Sequence, residues 1–275
     1  MKRQLLPFAL IFIWIPPAPA QLAPPNDSGV TLARIHLRVR DVEAQKAFWI
    51  DQIGGRPVKN GALELIEFPG VYLTIEKAEP TGKAAGSVID HFGFIFKDVP
   101  AMMAKWKSNG FRVTQGGNPL QGNVHPPEDS VFLEFFQDDK QDVPVHMDHF
   151  HMFITDIPAI QAWYKNAFGG VPGQRARVAR QGWVDCDYVP GGNLSFVDKG
   201  ERLPPTKGRS VDHMGFEVAN IEQFVEKLKA SGVTFDTPIR TIPGTGIKSA
   251  FLTDPWGTYI EVTQGLVPPT GDTRR

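Results

Sequence analysis

Four times along the chain a short alternating run of apolar and polar residues is followed by an amphipathic run that ends at glycine. The alternating runs are Ile35–Val39, His91–Phe96, His149–Ile154 and His213–Val218. Alternation places every second side chain on one face, as in a half-buried strand. The amphipathic runs predict helices over Val42–Ile53, Val99–Asn109, Ile157–Phe168 and Ile221–Ser231. Asp41, Asp98, Asp156 and Asn220 precede them, where a side-chain oxygen can accept from free N–H groups. Gly54, Gly110, Gly169 and Gly232 follow, where a helix end favours positive φ. Further strands are predicted at Ala62–Phe68, Val71–Lys77, Val131–Phe136, Gly182–Tyr188, Leu194–Asp198, Ser249–Leu252 and Thr258–Thr263.

The pattern is a duplication. Asp41-Val42, Ala47-Phe48-Trp49 and Gly54-Gly55-Arg56-Pro57 return 115 residues later as Asp156-Ile157, Ala162-Trp163-Tyr164 and Gly169-Gly170-Val171-Pro172. Asp90-His91-x-Gly-Phe returns as Asp212-His213-x-Gly-Phe after 122 residues, and Glu134 as Glu261 after 127. An offset that steps up between segments marks a repeat with loop insertions. The unit is a strand, a helix and about three strands, repeated four times, which predicts an α+β fold.

Residues 1–20 are set apart from this pattern. Lys2 and Arg3, the apolar run Leu5–Ile15 and Ala18-Pro19-Ala20 read as a cleavable signal peptide with cleavage after Ala20. The expected location is therefore periplasmic or secreted, with no membrane attachment after cleavage. Residues 21–30 read as a flexible lead-in, 31–138 as an N-terminal pair of modules and 139–146 as a linker. Residues 147–266 read as a C-terminal pair and 267–275 as a tail. A net charge of −1, or −3 without Lys2 and Arg3, gives no basis for binding nucleic acid. The single cysteine, Cys186, has no internal disulfide partner.

The chemistry sits on inner-strand positions. His149 and His213 begin matching strands. Glu261 follows the Asp254-Pro255-Trp256-Gly257 turn on a closing strand. Two imidazoles and a carboxylate form a facial triad suited to Fe(II), and the same set can hold Mn(II) or Zn(II). In the N-terminal pair His91 and Glu134 match His213 and Glu261, but Arg34 stands where His149 does. A cation there repels a metal, and Arg34 is expected to pair with Glu134. Glu76 and His36 are the residues that could rescue a weaker second site. His151 shares the face of His149 and is either a proton shuttle or a supporting partner; its repeat mate is His36. Tyr259 shares the face of Glu261 and either donates its hydroxyl or packs. Trp183, Asp185 and Phe251 are expected to line the same cavity, with Asp185 a base or a surface residue.

This chain resembles the vicinal oxygen chelate superfamily, which includes glyoxalase I, bleomycin-resistance proteins and type I extradiol dioxygenases. The motifs are His-Phe-His-Met-Phe-Ile-Thr-Asp at 149–156, Asp-His-Met-Gly-Phe at 212–216 and Asp-Pro-Trp-Gly-Thr-Tyr-Ile-Glu at 254–261. The resemblance implies four βαβββ modules forming two paired-module open barrels, with metal on His149, His213 and Glu261. Fe(II) or Mn(II) is favoured, Zn(II) also fits, and the partner is a small substrate with vicinal oxygens. Four modules look most like the extradiol enzymes. A metal-dependent lyase or isomerase and a non-catalytic binder are the alternatives. Ser195 stands where glyoxalase I would carry a carboxylate, and Phe251 about where an extradiol enzyme would carry a tyrosine.

Overall fold

In the computed structural model, which describes residues 22–176 and 182–266, each predicted helix is capped as its sequence demands. Asp41, Asp98, Asp156 and Asn220 accept from Ala44, Ala101, Ala159 and Gln223 N at 2.9–3.1 Å. The chain order is a strand, a helix and three strands, four times over. The first unit is β1 (Val30–Val39), α1 (Val42–Ala47), β2 (Arg56–Asn60), β3 (Leu63–Phe68) and β4 (Val71–Lys77). The second is β5 (Ile89–Phe96), α2 (Val99–Ser108), β6 (Val113–Gln115), β7 (Gln121–Val124) and β8 (Leu133–Gln137). The third is β9 (Val145–Ile154), α3 (Ile157–Phe168), β10 (Val171–Ala176), β11 (Trp183–Val189) and β12 (Gly192–Asp198). The fourth is β13 (Val211–Val218), α4 (Ile221–Ala230), β14 (Phe235–Thr241), β15 (Lys248–Thr253) and β16 (Tyr259–Gln264).

The units do not pair as neighbours within each half of the chain. One eight-stranded sheet runs β14-β15-β16-β13-β1-β4-β3-β2, so the first unit joins the fourth. The other runs β10-β11-β12-β9-β5-β8-β7-β6, so the second joins the third. The seams are antiparallel: β1 on β13 and β5 on β9. The stretch read as a linker, 139–146, thus connects two units of one sheet, and Val145 and His146 already belong to β9. The chain crosses between the sheets twice, between β4 and β5 and again between β12 and β13.

Several sequence features hold the sheets together. Pro69 O accepts from Met147 N at 3.3 Å, and Pro190 O accepts from Leu32 N at 2.9 Å, so each Pro-Gly turn bonds the opposite sheet. Phe168 of α3 stacks on Phe216 of β13 at 4.3 Å. Tyr164 donates to Asp254 at 2.8 Å, while Asp254 also accepts from Trp256, Gly257 and Thr258 N. The Asp-Pro-Trp-Gly turn is therefore a buried anchor for α3 as well as the lead into β16. The lead-in is tied down too: Asn26 donates to Phe168 and Gly169 O at the end of α3. The predicted helix 42–53 is present, but after Ala47 it continues as a π-helical turn over Phe48–Gln52. The predicted signal peptide, residues 1–20, and the predicted tail, 267–275, lie outside the described residues. Among the described residues no helix is long and apolar enough to cross a membrane.

One buried carboxylate has no partner among the described residues. Asp187 is fully buried beneath α3 and neither oxygen is hydrogen-bonded. Burial pushes its carboxyl up to about 7, against a small opposing pull from Lys165. Unfolded, it ionises near the ordinary 3.8. Between those values the folded chain holds a proton that the unfolded chain has lost, so stability falls as pH rises through the window. Asp187→Asn is expected to gain roughly 1–3 kcal/mol at pH 8 and almost nothing at pH 4. Urea unfolding at the two pH values checks this; an equal effect at both refutes it.

Candidate metal centre

The Asp-His-x-Gly-Phe motif explains itself in the second sheet. His91 lies on β5 and its Nδ1 donates to Asp90 Oδ2 at 2.8 Å. Opposite, on β9, His149 Nδ1 donates to Asp148 Oδ2 at 2.8 Å. Each aspartate fixes its ring and tautomer, leaving Nε2 to point inward as a lone pair. Both Nε2 atoms meet one oxygen: Glu134 Oε2 is 3.2 Å from His91 and 3.3 Å from His149. Gly93 stands directly across from His149, and a Cβ there would lie 2.3 Å from His149 Cε1. The glycine is what lets the imidazole lean over the neighbouring strand.

His151 completes the group. It faces His91 across the seam, with ring centroids 4.6 Å apart, and neither of its nitrogens has a hydrogen-bond partner. One ligand atom from each of His91, Glu134, His149 and His151 lies within 4.8 Å of the others. Among the described residues this is the one cluster of three or more such side chains placed to hold a metal. Burial alone would raise Glu134, but the His149 and His91 imidazoles beside it hold it far below the usual carboxylate range. Burial would lower His91, but bonds to Asp90 and Glu134 outweigh that and raise it. Burial and the neighbouring His91 and His149 push His151 well below the ordinary histidine value. Converging lone pairs on a half-buried carboxylate are unfavourable unless a proton or cation sits among them. The unpartnered His149 Nε2 and the donor set fit a divalent ion.

The first sheet repeats this layout with one change. His213 Nδ1 donates to Asp212 Oδ2 at 2.7 Å, and its Nε2 lies 3.5 Å from Glu261 Oε2. Arg34 takes the place of the second imidazole, directly across from Gly215. Its Nη1 is 2.8 Å from Glu261 Oε2, although the N–H is not aimed along that line. Its Nε donates to Thr74 Oγ1 at 3.0 Å and its Nη2 to His36 Nδ1 at 3.2 Å. The guanidinium thereby neutralises the carboxylate that a metal would have bridged. Glu261 is held down to about 2: burial opposes this, and the charge of Arg34 and the nearby His213 imidazole overcome it. His36 stacks on His213 at 4.3 Å, and burial together with that neighbour lowers it to about 4. Its Nε2 lies 3.2 Å from Glu76.

The predicted triad is therefore divided. His149 belongs to the second sheet, while His213 and Glu261 belong to the first, because the repeats pair first with fourth and second with third. The arginine expected to exclude metal does occupy a ligand position, but its partner is Glu261 and not Glu134. Tyr259 and Phe251 stack on each other beside His213, in the arginine-filled pocket. Asp185 and Trp183 do not face the cluster. Cys186 lies opposite Ser195, and Ser195 opposite His151, so the intervening positions of β11 point to the other face. Asp185 instead accepts from Gln174 at 2.7 Å. The residues that the triad omitted, His91 and Glu134, carry a signal in the sequence. Asp-His doublets stand at 90–91, 148–149 and 212–213, and the fourth equivalent is Ala33-Arg34.

Comparisons place this geometry among known folds. Residues 146–262 match the model of the Glyoxalase/Bleomycin resistance protein/Dioxygenase superfamily. That stretch takes in His149 and His151 but not His91 or Glu134. The comparison with curated proteins finds no match. Glyoxalase I from Zea mays is similar in structure at TM-score 0.69 and 16% identity, covering 86% of this chain and 92% of that one. A putative dioxygenase from Bacillus subtilis subsp. subtilis str. 168 is similar at TM-score 0.63 and 13% identity, covering 90% and 87%. At these identities the likeness establishes the fold.

Proposed function

We propose, from the match of residues 146–262 to the Glyoxalase/Bleomycin resistance protein/Dioxygenase superfamily model and from the cluster geometry, that this chain is an exported divalent-metal enzyme. Its substrate is a small molecule chelated through two neighbouring oxygens, in an extradiol-dioxygenase-like arrangement. The observation that carries the reading is the convergence of His91, Glu134 and His149, each imidazole braced by its own aspartate. Two imidazoles and one carboxylate leave coordination positions open, the donor set of non-haem Fe(II) and Mn(II) sites. In this reading each eight-stranded sheet curls as an open barrel with its inner residues on the concave side. A bound ion would act as a Lewis acid on the coordinated substrate oxygens.

The rest is the work of this chain's own side chains. His151 is the one imidazole of the cluster without a bracing carboxylate, so it is free to take a proton from a substrate hydroxyl or return one. Phe132, stacked on His91 at 4.3 Å, and Phe136, 6.0 Å from the His149 ring, supply apolar walls. Ser195, turned onto Asn193 at 2.7 Å, offers no fourth carboxylate. That favours the three-ligand, oxygen-using reading over a glyoxalase-like one. The basic and apolar pattern of residues 1–20 supports a periplasmic or secreted location.

Elemental analysis of protein purified without chelator is expected to find about one divalent ion per chain, the complement of a single closed ligand set. Catechol should then be consumed in air and left intact under anaerobic conditions. Protein free of metal overturns the reading; anaerobic turnover of a vicinal-oxygen substrate turns it into a lyase or isomerase.

A further inference from the structure

Arg175 is a charged side chain of the second sheet that the metal reading leaves without a task. It lies on β10 across from Val184, hence on the face that carries Cys186, Ser195 and His151. Its guanidinium carbon sits 5.6 Å from the Phe136 ring centre, and Phe136 flanks His149. One nitrogen, Nη1, donates to Asp148 Oδ2 at 2.9 Å, the oxygen that also braces His149. The Nε–H is buried and has no acceptor among the described residues. The guanidinium thus reaches Asp148 with one nitrogen, and among the described residues its Nε–Nη2 edge has no hydrogen-bond partner. That edge is the fork that matches a two-oxygen anion. A second cation stands at the rim, with Lys199 Nζ 3.8 Å from the Phe153 ring centre and Phe153 packed against His151.

We infer that the substrate of this site carries an oxyanion, a carboxylate or a phosphonate, which the free edge of Arg175 grips while two other oxygens face the metal ligands. The inference rests on the proposed function. It adds a specificity residue and a substrate class to it: an anionic, partly apolar molecule with vicinal oxygens. Phe132, Phe136 and Phe153 suit the body of such a molecule, and the unmet Nε–H suits its charge. A buried cationic donor left without an acceptor is costly, and a ligand oxyanion removes that cost.

The test compares catechol with its ring carboxylate, protocatechuate, on Zn(II)-loaded protein, where no turnover interferes, by calorimetry. Protocatechuate is expected to bind roughly ten times more tightly or better, the scale of a charge-assisted fork. Arg175→Ala, at saturating Zn(II), should erase that preference while the protein still takes up one ion and still binds catechol; Arg175→Lys should recover only part of the preference. Acetate and methylphosphonate as competitors show which oxyanion the edge prefers, and displacement by neither counts against the inference. Metal-loaded protein that treats both probes alike overturns this inference and leaves the metal reading standing. Loss of metal in Arg175→Ala also overturns it, because the arginine would then serve only to hold Asp148 and His149. Parent protein that takes up no Zn(II) overturns both.

Discussion

Replacing His91 with alanine is expected to strip the protein of metal, whereas replacing His213 is expected to leave its metal content unchanged. The two histidines occupy matching places in the repeat, and each is braced by a preceding aspartate at 2.7–2.8 Å. What separates them is the residue across the seam. His91 shares Glu134 with a second imidazole, while His213 shares Glu261 with a guanidinium. Only the first arrangement presents three donors to one point. Elemental analysis of His91→Ala should fall from about one ion per chain to below roughly a tenth, since the variant loses one of the two aspartate-braced imidazoles and keeps only His149 and Glu134 of the facial set. Asp148→Asn, which loosens the brace and keeps the ligands, should weaken metal affinity by roughly 10–100-fold. Metal loss on His213→Ala, with His91→Ala unaffected, would reverse the assignment of the two pockets.

Arg34→Ala is expected to destabilise the fold by roughly 3–5 kcal/mol, because it leaves the carboxylate of Glu261 buried with only His213 beside it. For a chain of this size the melting temperature should drop by on the order of 10 °C. The dependence on pH carries the same signature. Glu261 ionises at about 2 in the folded state, below the ordinary 4.5. Its contribution is therefore present above pH 4.5 and is lost as pH falls toward 2. Without Arg34 the held-down value has lost its chief cause, so the acid limb of the stability profile should move to higher pH. Arg34→Ala combined with Glu261→Gln should recover part of the loss, since the stranded charge is removed with its partner. Thermal unfolding across pH 2–8 checks both; an unchanged profile in Arg34→Ala would show that the ion pair contributes nothing.

Most of the fold was legible from local physics. Helix caps, glycine ends and alternating strands are near-neighbour properties, and Asp156, Ile157–Phe168 and Gly169 appear where the pattern places them. The edge strands β2, β6, β10 and β14 were the least legible, because a strand exposed along one side carries little alternation. The site was legible in its chemistry but not in its pairing. Two imidazoles, a carboxylate and an excluding arginine were all readable. Which seam joins them was not, because β1, β5, β9 and β13 share one apolar rhythm and each could lie against any other. Hydrogen-bonding register is a long-range choice that a repeat leaves degenerate. Asp185 went astray for a related reason: a shift of one position along β11 separates the cluster face from the helix face.

The exchange of partners between the two halves has a consequence for how this protein could have arisen and how far it can be cut down. A tandem gene whose copies each closed on themselves could lose one copy and keep a working pocket. Here the side chains of the one cluster among the described residues come from both sides of residue 140: His91 and Glu134 before it, His149 and His151 after it. No half-length product owns a complete set, and the same is true of the arginine-filled pocket, which draws Arg34 from one end and Glu261 from the other. Either half made alone would therefore need a second chain to complete a pocket.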